Sequence, residues 1–312
     1  MSSEGIYHIP ALLPECMEAL EIAPGGIYVD ATYGGGGHSR AILERLGPDG
    51  RLFSFDQDDE AIERAVADPR LVMVHGNFRF LSNFLRYYGV SPDGGVDGIL
   101  ADLGVSFHHF DDASRGFSFR FEGPLDMRMN RRARESAADI VSTIGRDELA
   151  SLLRLYGELP KSRAIADAIV REREKSPVDT VERLVAVAEP FISPKARRKE
   201  LAQLFQALRI RVNGEMEALE EFLRSALRAL RPGGRIAVIT YHSLEDRLVK
   251  NFFRTGSFDG ERATDFFGRS TAPLKPVGGS KPIVPAEAEV EANPRSRSAK
   301  LRVAEKLPET ES

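Results

Sequence analysis

The chain has 312 residues, 42% hydrophobic and 29% charged, a composition that supports a sizeable core and, by length, about two domains. A formal net charge of -4 weighs against a protein that grips bare nucleic acid mainly through phosphates, and a single cysteine, Cys16, excludes an internal disulfide or a thiolate metal cluster. No run is long and apolar enough to span a bilayer and residues 1–20 lack a basic leader segment, so no membrane partner and a cytoplasmic location are expected.

In chain order, Ile27–Asp30 reads as a short buried strand entering the glycine-rich turn Ala31–Gly37, followed by a helix over Ser39–Leu46 that stops at Gly47-Pro48. Arg51–Asp56 predicts a second strand, Asp59–Val66 a helix, Leu71–His75 a third strand, Leu81–Tyr88 a helix and Val96–Leu103 a fourth strand. Strands alternating with helices pair in parallel, because each crossover needs a helix; this is the start of a doubly wound α/β sheet. From Gly104 to Asn130 the chain is rich in Phe, Gly, Arg and Asp without a period. Helices are then predicted over Asp147–Tyr156, Ser162–Arg173, Val181–Ala188 and Arg198–Arg211 with no strand between them, which marks an inserted domain. Met216–Leu230 is a further helix, stopped by Arg231-Pro232-Gly233-Gly234; Arg235–Tyr241 returns to strand, Arg269–Asn293 reads as loop, and Lys300–Glu305 as a last strand.

The chemistry concentrates after the first strand. Asp30 precedes four consecutive glycines, Gly34 to Gly37, then His38. Glycines here let backbone approach a ligand, and the free N–H groups of the next helix face the same crevice. Two ligands use such a place, a dinucleotide and S-adenosylmethionine. The dinucleotide fingerprint G-x-G-x-x-G fails, since its third glycine falls on Ser39 or, one frame on, Arg40. Asp56, ending the second strand 20 residues after Gly36, is placed to accept from ribose hydroxyls in either case. Phe78 suits either stacking on a base or the core. Asp102 closes the fourth strand, where open α/β sheets bind ligands, and a carboxylate buried there without a partner is costly. No His/Cys/Asp cluster has metal-ligand spacing, so no metal is expected.

Several segments, read together, resemble one family. They are His8–Leu13, Asp30–Ser39 (DATYGGGGHS), Asp97–Ser106 (DGILADLGVS), Arg115–Met129 (RGFSFRFEGPLDMRM), Phe205–Asn213 (FQALRIRVN), Gly234–Lys250 (GRIAVITYHSLEDRLVK) and Asn293–Lys306 (NPRSRSAKLRVAEK). In this order they are similar to the bacterial small-subunit (16S) ribosomal RNA (cytosine-N4)-methyltransferases, the MraW/RsmH family. The resemblance implies a class I (Rossmann-like) methyltransferase sheet with an inserted all-helical domain. Residues 1–106 and 215–312 would form the methyltransferase domain, and 107–214 a mainly helical substrate-recognition domain. It implies methyl transfer from S-adenosyl-L-methionine, leaving S-adenosylhomocysteine, to the exocyclic N4 of a cytidine in the decoding region of 16S ribosomal RNA. The cofactor contacts it implies fall on Gly36, Gly37, His38, Asp56, Phe78, Asp102 and His109. The chain departs from the family pattern at His109, where glutamine is usual, and at Thr240-Tyr241, where Ser-Phe is common. The stretch Lys195–Leu201 also lacks the usual His-Pro-Ala-Thr-Arg.

An acceptor near the target amine would favour a pyramidal nitrogen and take its proton. Candidates are Asp102, Asp126 in LDMRM and His242 in YHSLEDR. Asp126 equally suits a pair with Arg128, His242 a structural role, and Ser243–Asp246 a helix cap. Reaching N4 needs an unpaired or flipped cytidine, on which Phe107, Phe117 or Phe119 would stack unless they belong to the core. Arginine and lysine clusters at 128–134, 195–199 and 295–302 are either particle contacts or solvated faces. The competing functions are a nicotinamide-dependent oxidoreductase and a non-catalytic RNA-binding assembly protein. The expected partner is the small ribosomal subunit; a homodimer is entertained without a residue that argues for it.

Overall fold

The strands are β1 (Ile27–Asp30), β2 (Arg51–Asp56), β3 (Leu71–His75), β4 (Val96–Asp102), β5 (Leu230–Thr240), β6 (Leu274–Pro276) and β7 (Lys300–Lys306); β1, β2, β4 and β7 are mostly buried, while β3 and β6, at the two ends of the sheet, are mostly half-buried or exposed. In the computed structural model, which describes residues 10–104, 112–262, 264, 268 and 270–308, they form a seven-stranded sheet in the order β3-β2-β1-β4-β5-β7-β6. β1 to β5 run parallel; β7 lies antiparallel between β5 and β6. The order reverses between β1 and β4, so their carboxyl ends flank a switch point, the place where such sheets bind ligands.

Helices α1 (Leu13–Leu20), α2 (Gly37–Leu43), α3 (Asp59–Glu63) and α4 (Leu81–Tyr87) accompany the first half of the sheet. The core on one side includes Leu12, Cys16, Tyr28, Ile42, Leu52, Leu100, Ile239 and Leu301. Each buried aliphatic side chain of this kind contributes roughly 1.5–3 kcal/mol relative to exposure.

Between the two halves come α5 (Ala137–Thr143), α6 (Arg146–Leu155), α7 (Ser162–Arg173), α8 (Val181–Ala188) and α9 (Arg197–Asn213). Their starts are written locally. Ser136 and Asp139 form a reciprocal capping box on α5, and Thr180 caps α8. They enclose a core of their own, with Ile140, Leu149, Leu153, Ile165, Leu184 and Leu204. The chain divides into two compact units, Met1–Gly104 with Glu217–Ser312, and Val105–Met216. Helix α10 (Glu215–Ala229) leads back to β5, burying Ala218, Leu219, Phe222, Leu223, Ala226 and Ala229 at helical spacing.

One tract corrects the sequence reading. Arg269–Asn293 was expected to be loop, yet it supplies β6 and α12 (Glu287–Ala292). β6 is three residues long and contains Pro276, which suits an edge strand paired on one side. β5 also starts earlier than expected, at Leu230.

Candidate active site

Three carboxylates stand at the carboxyl ends of three adjacent strands: Asp30 on β1, Asp56 on β2 and Asp102 on β4. Each is tied down by the chain beside it. Asp30 is fully buried and accepts from Ser39 Oγ (2.6 Å) and Thr32 N (3.1 Å), while Ser39 Oγ also meets Ser54 Oγ at 2.8 Å. Asp56 accepts Gly34 N (2.8 Å) at Oδ2 and Asp58 N (2.9 Å) at Oδ1. A carboxylate has about four acceptor sites, so Asp56 keeps capacity to accept from a ligand hydroxyl. The main-chain N–H of Asp102 donates to Thr32 Oγ1 at 2.7 Å, which fixes the end of β4 to the turn after β1. Its Oδ1 accepts from the Tyr241 hydroxyl at 2.8 Å. Its Oδ2 lies 3.9 Å from His38 Nδ1, too far for a hydrogen bond.

Burial governs the charges. It is the main force lifting Asp102 to about 7, with Asp30 and Glu245 adding repulsion against the Tyr241 hydrogen bond. Burial likewise lifts Asp30 to about 7 against its hydrogen bonds, with Asp56 pushing the same way, and burial raises Asp56. His38 is pressed down to about 4 by burial and is therefore neutral at pH 7; its Nε2 sits 3.1 Å from Ala11 O. Carboxylates at the head of this crevice, Asp56 and Asp102 with Asp30 buried behind them, disfavour a pyrophosphate and favour a cation.

The glycine turn fits the same crevice. Gly34 and Gly36 have φ of +52° and +74°, and a Cβ on Gly35 would meet nothing within 4 Å. Gly36 could not carry one, since it would lie 2.5 Å from Tyr33 Oη. Phe78 is half-buried and meets Phe222 in a T-shaped contact, with centroids 5.1 Å apart. His109 and Phe107 lie outside the described residues.

The other sequence candidates have partners of their own. Asp126 binds Arg128 through both oxygens, at 2.9 and 2.7 Å. Burial raises its pKa, but the Arg128 hydrogen bonds outweigh that and hold the carboxyl below its ordinary value. His242 caps α11 (Ser243–Thr255): Nδ1 accepts Glu245 N at 3.4 Å, and Glu245 Oε2 accepts the His242 N–H at 3.3 Å. Its buried Nε2 is 3.1 Å from Glu245 Oε1 but without hydrogen-bond geometry. The cap was expected at Ser243 with Asp246 and stands one residue earlier. Asp246 is instead held by Arg302 (2.7 Å) and Lys300 (3.6 Å). Phe117 is buried in the core of the helical unit, the core role the sequence also allowed, while Phe119 is partly buried and packs against that core beside Phe205. The basic clusters are partly engaged as well: Arg131 pairs with Asp112, Arg197 with Glu189, and Arg302 is nearly buried.

Three contributors carried no role in the sequence reading: Thr32, Ser39 and Tyr241. The signal for Tyr241 was the pairing of β4 with β5, which sets Asp102 beside Ile239, two residues before the tyrosine.

Sheet order and crevice define an α/β protein with a ligand site at its switch point, and the sequence places it among the methyltransferases. A family model described as the MraW methylase family matches residues 5–307, and the chain belongs to that family. Among its relatives, "Ribosomal RNA small subunit methyltransferase H" of Parabacteroides distasonis is 58% identical, over 97% of this chain and 99% of that protein. The proteins of the same name in Phocaeicola vulgatus and Bacteroides thetaiotaomicron are 57% and 56% identical, each over 96% of this chain and over 98% and 97% of their own lengths.

Proposed function

We propose that this methylase uses S-adenosylmethionine to methylate the exocyclic N4 of a cytidine in the decoding region of small-subunit ribosomal RNA. The observation that carries the cofactor assignment is the trio Asp30, Asp56 and Asp102 around a glycine turn. A sulfonium and an α-ammonium suit that field, and a dinucleotide's pyrophosphate does not. The names of the relatives support the RNA substrate, and family membership supports methyl transfer. When bound, the cofactor supplies a methyl group already activated on sulfur.

The chain's task is therefore positioning. Asp56 holds ribose hydroxyls, the turn from Gly34 to Gly37 admits the ligand close to the backbone, and the half-buried Phe78 ring meets the base. Asp102 accepts an N–H hydrogen bond through Oδ2 and, with a proton affinity near neutrality, takes up the proton that the amine loses. Asp126 anchors Arg128 rather than serving as base, because a carboxylate held below its ordinary range is a poor proton acceptor. His242 serves the start of α11. The helical unit contacts the particle, in the cytoplasm, and no described helix is long and apolar enough to cross a membrane.

The test is incubation with methyl-labelled S-adenosylmethionine and unmodified small subunits. Label in the small-subunit RNA supports the reading; label only in protein, or none, contradicts it. Adenosylhomocysteine should bind and NADH should not.

A further inference from the structure

Tyr241 follows β5 directly, and the β4–β5 register brings its side chain to the end of β4. Its hydroxyl donates to Asp102 Oδ1 at 2.8 Å. The residue is held from other directions too. Its main-chain N–H donates to Glu245 Oε2 at 2.9 Å, and its ring lies against Gly104, where a Cβ would stand 3.1 Å from Cδ2. The ring also packs on the core that contains Ile239 and Leu301. Asp102 Oδ2, by contrast, makes no hydrogen bond among the described residues; His38 Nδ1, at 3.9 Å, is beyond reach.

We infer that Tyr241 is a positioning residue for the methyl transfer: its hydroxyl pins Oδ1 of Asp102 and so leaves Oδ2 as the oxygen offered to an N–H donor in the crevice. The inference rests on the role given to Asp102 above. The same bond keeps the carboxylate usable. The titratable groups around Asp102 are Asp30 from β1, Glu245 from α11, Cys16 from α1 and His38 from α2. Burial, Asp30 and Glu245 all favour its protonated form; the Tyr241 hydroxyl opposes them. Burial and the charge of Asp102 raise the Cys16 thiol and the Tyr241 phenol, and burial keeps His38 neutral, so none of the three brings a formal charge at neutral pH.

Tyr241→Phe removes one oxygen and keeps the ring. In protein labelled with 13C at aspartate carboxyls, with Asp102→Asn assigning the resonance, the Asp102 midpoint should rise by about one unit in Tyr241→Phe, the scale of a hydrogen bond to a charged group. Asp30 does not touch Tyr241 and feels the change only through the charge of Asp102, so its midpoint should move less. The acid limb of methyl transfer to small subunits should move with Asp102, giving about a tenfold lower rate below both midpoints. An unmoved Asp102 midpoint, an equal shift of Asp30, or an unmoved acid limb each overturns the inference. The titration needs no turnover. A parent protein that transfers no methyl would sink the functional reading, while the carboxyl midpoints would still decide whether Tyr241 governs Asp102.

Discussion

His38 and Asp30 sit close together at the head of the sheet and respond to burial with opposite signs. The imidazole, lowered to about 4 from an ordinary 6.5, stays neutral where the unfolded chain would take up a proton. Its contribution to stability is therefore complete above pH 6.5 and is lost as pH falls through 4. His38→Gln should remove that dependence. Urea unfolding of parent and variant should diverge across this window by up to about 3 kcal/mol, the parent losing more in acid; a constant difference would contradict the assignment. Asp30, raised to about 7, does the reverse: its contribution is complete below its ordinary value of 3.8 and is lost as pH rises through 7. At Asp102 the expectation is catalytic. Asp102→Asn should lower the methyl-transfer rate by about 100-fold or more, with the fold intact by circular dichroism. The candidacy of Asp102 was legible in sequence, since it follows from a carboxylate at a strand end. Its partnership with Tyr241 was not, because the two are 139 residues apart and meet through the β4–β5 register alone.

At the scale of elements, the glycine turn and the start of α11 make separable demands. Gly36 has a φ of +74° and no room for a methyl beside Tyr33. Gly36→Ala should cost about 1–2 kcal/mol of stability and weaken adenosylhomocysteine at least tenfold by calorimetry; unchanged affinity would show that the turn does not touch the ligand. At α11, asparagine is as good a cap as any residue. His242→Asn should therefore keep thermal stability and most of the methyl-transfer rate, whereas His242→Ala should lose about 1 kcal/mol. A severe rate loss in a stable His242→Asn would restore the histidine as a catalytic candidate. The cap also shows where local spacing stops being informative. Ser243 with Asp246 and His242 with Glu245 fit the same pattern, and the choice is made by Arg302 and Lys300, which arrive from β7 and claim Asp246.

Across the whole molecule, the alternation of strand and helix up to β4 made the parallel sheet readable, and an unbroken series of helices made the second unit readable. β6 and α12 were not readable, because three residues that include a proline carry no period, and only pairing with β7 makes them a strand. The basic clusters stayed open in the sequence, since net charge does not tell a particle-facing arginine from one paired with Glu189 or Asp246. Ligand linkage follows from the site. Adenosylhomocysteine at 100 times its Kd should raise stability by about 2.7 kcal/mol, and NADH at equal concentration by nothing.

The most direct test of the central claim is mass spectrometry of small-subunit RNA after reaction with S-adenosylmethionine, in parallel for the parent protein and Asp102→Asn. N4-methylcytidine is expected at one decoding-region position with the parent and little or none with the variant. A methyl on another atom or another base, or equal product from both proteins, would contradict the claim.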